Sequence, residues 1–205
     1  MALVKYNNNS LSSVTSAASA PAGAMTLIKT LTASSSSTLS FVDGSSDVVL
    51  DNTYPLYLFK FINIHPATNQ VAFTFNGSID SGSNYNVTKT TTYFVARHTE
   101  ADDTTELTYE TGFDLAQGTG FQSLVRQTGN GNDECCAGYL HLYDPSSTTF
   151  IKHYMARFND YEHNDQSTDN YTGGYFNTTS AIDAIQFKFG SGNIDSGTIK
   201  LYGIS

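Results

Sequence analysis

The chain has 205 residues, of which 14% are charged, and 19 acidic against 10 basic side chains give a net charge of −9. This length is typical of one domain, and an acidic chain repels phosphate backbones, so we expect no binding to nucleic acid. No apolar run approaches the ~18 residues of a membrane-spanning helix, and the beginning of the chain lacks the apolar stretch of a secretory signal, so we expect no membrane contact.

The composition favours an all-β fold. The chain contains 13 Tyr and 13 Phe but no Trp, and small polar residues stand where charged residues are usual. Ser, Thr, Asn and Gly compete poorly for helix interiors and suit extended strands and turns. We therefore predict one all-β domain of two packed sheets over residues 25–205, preceded by an extended arm over residues 1–24.

The predicted arm is low in charge, rich in Asn, Ser and Ala, and closes with Pro21 and Gly23. Such a segment cannot bury enough apolar surface to fold alone. It either docks on a neighbouring subunit or frays as a terminus. The apolar residues that would make the docking contacts are Leu3, Val4, Tyr6, Leu11 and Val14.

Period-two alternation predicts strands along the rest of the chain. The predicted strands lie at 26–31, 38–42, 55–64, 71–76, 90–98, 121–126, 139–143, 150–158 and 171–177, with two more at the end of the chain. The segment YPLYLFKFINIHP is apolar on both faces, which predicts a central strand covered on both sides and ended by Pro66. One helical turn is predicted near residues 113–117.

The end of the chain alternates most clearly. Ile185, Phe187 and Phe189 share one strand face, and Ile199 and Leu201 share a face of the next strand. A turn rich in Gly, Ser, Asn and Asp separates the two segments. This pattern predicts a closing hairpin with the C-terminus tied into a sheet.

The residue types that carry chemistry are not arranged as a known site. Cys135 and Cys136 are adjacent, so two reduced thiols are expected rather than a disulfide framework or a zinc site. Carboxylates cluster at 98–110 and 159–170, which we interpret as solvated acidic loops; a glycosidase pair or a calcium site are the alternatives. We expect no enzyme activity, no catalytic residues, no metal and no cofactor.

Exposed tyrosines form the candidate binding surface. Tyr139 and Tyr143 flank His141 on one strand face, whereas Leu140 and Leu142 point toward the core. Tyr154 and Phe158 likewise share a face with Lys152. Aromatic faces can stack on sugar rings or fill a subunit interface, and the alternative is ordinary sheet packing. The candidate aromatic surface comprises Tyr139, Tyr143, Tyr161, Tyr171 and Tyr175.

Four segments resemble a group of small proteins from the virion gene blocks of tailed, mostly marine phages. They are MALVKYNNNSLSSVTS, YLFKFINIHPATNQVAFTFN, TKTTTYF and YFNTTSAIDAIQFKFGSGNIDSGTIKLYGI. The resemblance covers most of the chain and implies a single jelly-roll-like antiparallel β-sandwich with an extended N-terminal arm. It also implies a structural protein of the virion, assembled in the host cytoplasm as a homotrimer. It carries no site residues.

The resemblance and the residues together predict a capsid decoration or cement subunit that docks on the major capsid protein or on tail proteins. A compact chain without a long shaft favours the capsid position. The alternative is a tail fibre or adaptor, or an adhesin module that binds a host surface glycan.

Overall fold

The computed structural model describes residues 25–205, which form twelve β-strands and contain no helix. The first six strands are β1 (Met25–Thr32), β2 (Leu39–Val42), β3 (Leu56–Pro66), β4 (Val71–Ser78), β5 (Lys89–Thr99) and β6 (Thr105–Tyr109). The other six are β7 (Gln122–Thr128), β8 (Cys136–Tyr143), β9 (Lys152–Glu162), β10 (Gln166–Phe176), β11 (Ala184–Phe189) and β12 (Ile194–Ile204). Within this range no helix is long and apolar enough to cross a bilayer.

All strand pairs are antiparallel and build two sheets. The larger sheet has the order β1-β12-β3-β8-β9-β10-β5-β6, and the smaller has the order β2-β11-β4-β7. One bridge pair, Thr128 with Glu162, joins β7 to β9 and connects the sheets along one side. The prediction of an all-β, antiparallel sandwich is confirmed.

The core lies between the smaller sheet and the part of the larger sheet that contains β1, β12, β3, β8 and β9. Side chains alternate along each strand, so every second residue points inward. The inward phenylalanines contact one another edge to face, with centroid distances of 4.9 Å for Phe61 and Phe187 and 5.3 Å for Phe41 and Phe59. Phe73 and Phe75 complete a cluster of rings that are inaccessible to solvent.

Beyond β8 the larger sheet continues through β9, β10, β5 and β6, and we call these four strands the extension. Its first strand, β9, still contributes Tyr154 and Phe158 to the core. β9 pairs with β10, and β10 with β5, over eleven consecutive residues without a register shift. Asp165 in the turn between β9 and β10 adopts a φ of 54°, which Asp and Asn tolerate better than most residues. β6 and the segment 110–118 pair with different parts of β5, so its outer edge is covered.

Tertiary contacts overturn several local expectations. β11 and β12 do not form a hairpin, because β11 pairs with β2 and β4 while β12 pairs with β1 and β3. β3 is central, but its outer face is covered only in part, since Leu58 is 7% exposed whereas Ile62 is 43% exposed. Residues 113–117 form no helical turn, and β6 occupies part of the predicted acidic loop 98–110.

Candidate ligand-binding trough

The outer face of β8 and the extension presents a continuous aromatic row. The strand register aligns one outward residue from each of five neighbouring strands. In spatial order the row is Tyr139, Arg157, Tyr171, Phe94 and Tyr109. Cross-strand neighbours on one sheet face lie close enough to contact each other, so the row is a product of register and not of chain proximity.

The centre of the row is ordered by stacking. The rings of Phe94 and Tyr171 are parallel, with an interplanar angle of 4° and a centroid distance of 4.6 Å. The guanidinium carbon of Arg157 lies 5.0 Å from the centroid of the Tyr171 ring. Stacked aromatic and cation–π pairs of this kind hold side chains in one conformation before any partner arrives.

Asp169 holds the guanidinium of Arg157, the cation of the row, in place. Arg157 donates from Nε to Asp169 Oδ1 at 3.0 Å and from Nη2 to Asp169 Oδ2 at 2.6 Å, and the Tyr171 hydroxyl donates to the same Oδ2 at 2.9 Å. Hydrogen bonding to Asp169 raises the pKa of the Arg157 guanidinium. The two side chains therefore form a fork-like pair whose charges balance on the surface of the sheet.

Depressions of about 380 to 450 Å³ follow one another along β9 on this face. The first and second share Met155, the second and third share Arg157, and the third and fourth share Asn159. They run from His153 at one end to Tyr161 at the other. We call this connected series the trough.

Gly173 and Gly174 are adjacent on β10, and the missing side chain of Gly173 opens the floor of the trough. A Cβ atom on Gly173 would meet nothing closer than Thr92 Oγ1 at 3.6 Å, whereas a Cβ on Gly174 would lie 2.6 Å from the Thr90 carbonyl oxygen. The fold therefore requires glycine at 174 but has room for a side chain at 173. Both of the first two depressions contain Gly173 in their lining.

The two ends of the trough differ in chemistry. Tyr143, His153 and Tyr175 line the first end, with Thr90 beside them. At the opposite end His98 Nε2 lies 3.0 Å from Asp102 Oδ1, and Glu100 adds a carboxylate. Between them, partial burial lowers the pKa of His141, so its imidazole is uncharged at neutral pH.

All five tyrosines of the candidate aromatic surface lie on this outer face. Tyr139 and Tyr143 come from β8, Tyr161 from β9, and Tyr171 and Tyr175 from β10. The five candidate arm residues, Leu3, Val4, Tyr6, Leu11 and Val14, lie outside the described residues.

Sequence reasoning missed four residues of the trough, namely Phe94, Met155, Arg157 and Gly173. The alternation of β5 and β9 could have placed Phe94, Met155 and Arg157 on their outward faces. Their alignment with tyrosines depends on strand pairing. Met155 is 60% exposed, which is unusual for an apolar side chain in a strand.

Tyr154 and Phe158 do not belong to the exposed surface. They point inward from β9 and are 1% and 0% exposed, in contact with other core rings. Lys152, on the same strand face, is also buried and donates from Nζ to the Thr178 carbonyl at 3.1 Å. Among the aromatic faces considered from sequence, this one is explained by core packing.

The acidic segment 159–170 is not a solvated loop, because it forms most of the β9–β10 hairpin. Arg126 bridges Glu162 at 2.8 Å and Glu110 at 2.9 Å, and the Glu162 side chain is inaccessible to solvent. Asp160 is 1% exposed, and neither of its carboxyl oxygens has a hydrogen-bond partner. Burial raises the pKa of Asp160 to about 8, so its carboxyl is held largely neutral.

A second buried titratable group lies at the start of β5. Lys89 is inaccessible to solvent and donates from Nζ to Asn76 Oδ1 at 2.6 Å and to the Val87 carbonyl at 2.8 Å. Burial lowers the pKa of Lys89 to about 7. Asn76 in turn donates to the carbonyls of Tyr85 and Thr119, so the amine is part of a saturated network that holds the loop against β4.

Metal ligands and free thiols were the remaining candidates from the sequence. Residues 25–205 contain no group of three or more His, Cys, Asp or Glu side chains placed to hold a metal ion. Cys135 and Cys136 are free thiols, and burial raises the pKa of both, which disfavours the reactive thiolate.

Comparison with known proteins identifies no matching family model, no similar curated protein and no similar solved structure. The site is therefore interpreted from its own geometry.

Proposed function

We propose that the chain is a non-enzymatic structural component of a tailed-phage virion that displays the trough as a binding face. The observation that carries this proposal is the ordered row from Tyr139 to Tyr109 on the exposed side of a rigid sheet. Tyr and Arg are enriched in contact surfaces because they bring large area at low entropic cost. The resemblance of long segments to virion proteins supports the same role.

The strand order supports the jelly-roll interpretation. Without the extension, the sheets have the orders β1-β12-β3-β8 and β2-β11-β4-β7. Consecutive strands β1 and β2, β3 and β4, β7 and β8, and β11 and β12 lie in opposite sheets, as in two interleaved Greek keys. Jelly rolls occur in viral capsid and lectin domains, an analogy at the level of the fold alone.

We place the protein on the capsid, as a decoration or cement subunit in contact with other virion proteins. β1 follows residues 1–24 directly and lies at the edge of the larger sheet, where Met25 and Leu27 are 42% and 50% exposed. An edge strand with exposed apolar side chains suits association with another chain. A homotrimeric state is part of this proposal.

Copy number and arm deletion test the virion role. Quantitative mass spectrometry of purified particles should detect hundreds of copies for a capsid subunit, against about a dozen for a tail or vertex part. Deleting residues 1–20 should abolish incorporation while circular dichroism still reports a folded sandwich. Absence of the protein from purified particles would contradict the proposal.

A tail adaptor or host-glycan adhesin is the second candidate function. The trough favours it, since connected depressions lined by tyrosines and hydrogen-bonding side chains are a recurring form of ligand site. Immunogold labelling at the tail tip, rather than over the capsid, would favour this candidate over decoration.

A further inference from the structure

We propose that the trough binds one chain of an uncharged, linear polysaccharide, laid along β9. This inference rests on the proposed binding role of the outer face and names its ligand class. Four properties of the trough carry it: its linear shape, the side chains that line it, its balanced charge and the glycine on its floor.

The shape fits a polymer and not a compact ligand. From His153 to Tyr161 the trough follows eight residue steps of β9, roughly 27 Å at ~3.4 Å per residue. Adjacent depressions share a lining side chain, so they follow one another without a gap in β9. A single small molecule would fill one depression, whereas a chain of linked rings occupies successive depressions.

The lining combines flat apolar surface with hydrogen-bonding groups along its length. Tyr143 and Tyr175 lie at the first end, Tyr139 lies midway, and Tyr161 lies at the far end. Aromatic side chains pack against the apolar faces of sugar rings, and neutral donors and acceptors match sugar hydroxyls. The side chains that supply such groups are Thr90, Thr92, His141, His153, Asn159 and Ser167.

The charge of the trough excludes strongly anionic chains. Its cation, Arg157, is paired with Asp169, so no unpaired positive group lies midway along the lining. The far end adds the carboxylates of Glu100 and Asp102, of which Asp102 contacts His98. An acidic polysaccharide would face net negative charge there, whereas an uncharged one would not.

Packing at position 173 does not require glycine. A glycine inside a strand weakens it by roughly 0.5–1 kcal/mol relative to alanine and often marks a close approach of a ligand. Because a Cβ at 173 would have ordinary space, the missing side chain serves the trough, not the packing.

The trough is less suited to a peptide. Extended peptides bind sheets by pairing with the unpaired backbone groups of an edge strand. β9 and β10 are interior strands whose backbone groups are used on both sides. A ligand on this face therefore contacts side chains and not a free strand edge, which excludes peptide binding by strand addition.

Affinity electrophoresis of the full chain tests the proposal. The protein is run through native gels that contain hydroxyethylcellulose, linear mannan or dextran, and through gels that contain alginate or hyaluronate as acidic chains. We expect retardation in at least one uncharged polysaccharide and none in the acidic ones. Retardation in acidic gels alone, or in no gel, would overturn the inference.

Matched glycine variants locate the site. Gly173→Leu places a side chain in the trough, and Gly190→Leu places one at a glycine with similar free space, the nearest contact of its Cβ being 3.7 Å from Ala72 O. We expect Gly173→Leu to weaken retardation by about tenfold or more and Gly190→Leu to leave it unchanged. Equal retardation of both folded variants contradicts the location.

Two further measurements distinguish failure of the glycan proposal from misfolding of the variant. They also distinguish it from failure of the virion proposal. Tyr139→Ala removes an aromatic lining residue that is 39% exposed, so it should weaken retardation in a folded protein. Gly173→Leu should still enter virions. Loss of virion incorporation without any change in retardation would count against the trough as a glycan site.

Discussion

The sandwich core and the interior of the extension differ in the polarity of the side chains that they bury. Between the two sheets, β3, β4 and β11 bury phenylalanines such as Phe61, Phe73 and Phe187, and all three rings are at most 2% exposed. Inside the extension, β10 buries a row of polar residues. Some aromatic rings, such as Tyr93 and Phe158, are buried as well, and a second set of aromatic residues lies on the outer face. The buried polar row of β10 is Gln166, Thr168, Asn170 and Thr172.

This difference assigns separate roles to the two regions. Apolar burial stabilises the sandwich without directional constraints, at ~1.5–3 kcal/mol for each large side chain. Hydrogen bonds and ion pairs inside the extension contribute less net stability but admit one arrangement only, such as Tyr93 Oη donating to Asn170 Oδ1 at 2.6 Å. We infer that the polar interior fixes the strand register on which the outer aromatic row depends.

The largest effect is expected from the sandwich. Phe187→Ala removes a ring that is inaccessible to solvent and contacts Phe59, Phe61 and Phe75. The lost burial and the cavity should lower the free energy of unfolding by about 3–5 kcal/mol, measured by urea denaturation. Phe150→Ala, at a site 71% exposed, serves as the control and should change it by less than ~0.5 kcal/mol.

The ion pair between β7 and the extension comes next. Arg126→Met leaves the buried Glu162 carboxylate without its cation, which should cost about 3 kcal/mol in the same assay. Adding Glu162→Gln removes the orphaned charge and should recover much of the loss. If the double variant is no more stable than Arg126→Met, the cost arises from packing and not from the unpaired charge.

Asp160 should make stability depend on pH. Its folded pKa of about 8 lies above the value near 4 of an unfolded chain, so the folded state binds more protons between these limits. The free energy of unfolding should therefore fall as the pH rises from 4 to 7, and Asp160→Asn should flatten this slope. Burial lowers the folded pKa of Lys89 to about 7, so above pH 7 this group makes the free energy of unfolding rise with pH. The comparison of the wild type with Asp160→Asn is therefore restricted to pH 4–7.

The smallest effect has the opposite sign. Gly173→Ala should raise the free energy of unfolding by roughly 0.5–1 kcal/mol, because the backbone loses freedom in the unfolded chain and the added methyl has space. Gly174→Ala is the matched control and should destabilise, since its Cβ would lie 2.6 Å from the Thr90 carbonyl oxygen. If Gly173→Ala and Gly174→Ala change the free energy of unfolding in the same direction, the assignment of Gly173 to the trough is contradicted.

Local patterns predicted the strands well where one face is apolar. Alternation placed Phe187 and Phe189 inward and Tyr139 and Tyr143 outward, as the structure has them. It failed for Asp160, because a carboxylate is expected in solvent and only contacts with distant strands make its burial tolerable. It also missed β6, whose residues Thr105–Tyr109 are mostly exposed on both faces and so lack a clear period.

The sequence by itself determined most of the strands and, for these, which side is apolar, because side-chain alternation is a local property of extended backbone. Tertiary structure alone decided which strands are neighbours. β11 and β12 lie in opposite sheets, although the sequence of the turn between them predicts a hairpin. Tertiary structure also aligned Tyr139, Arg157, Tyr171 and Phe94 into one row, since a row across strands depends on pairing between distant segments.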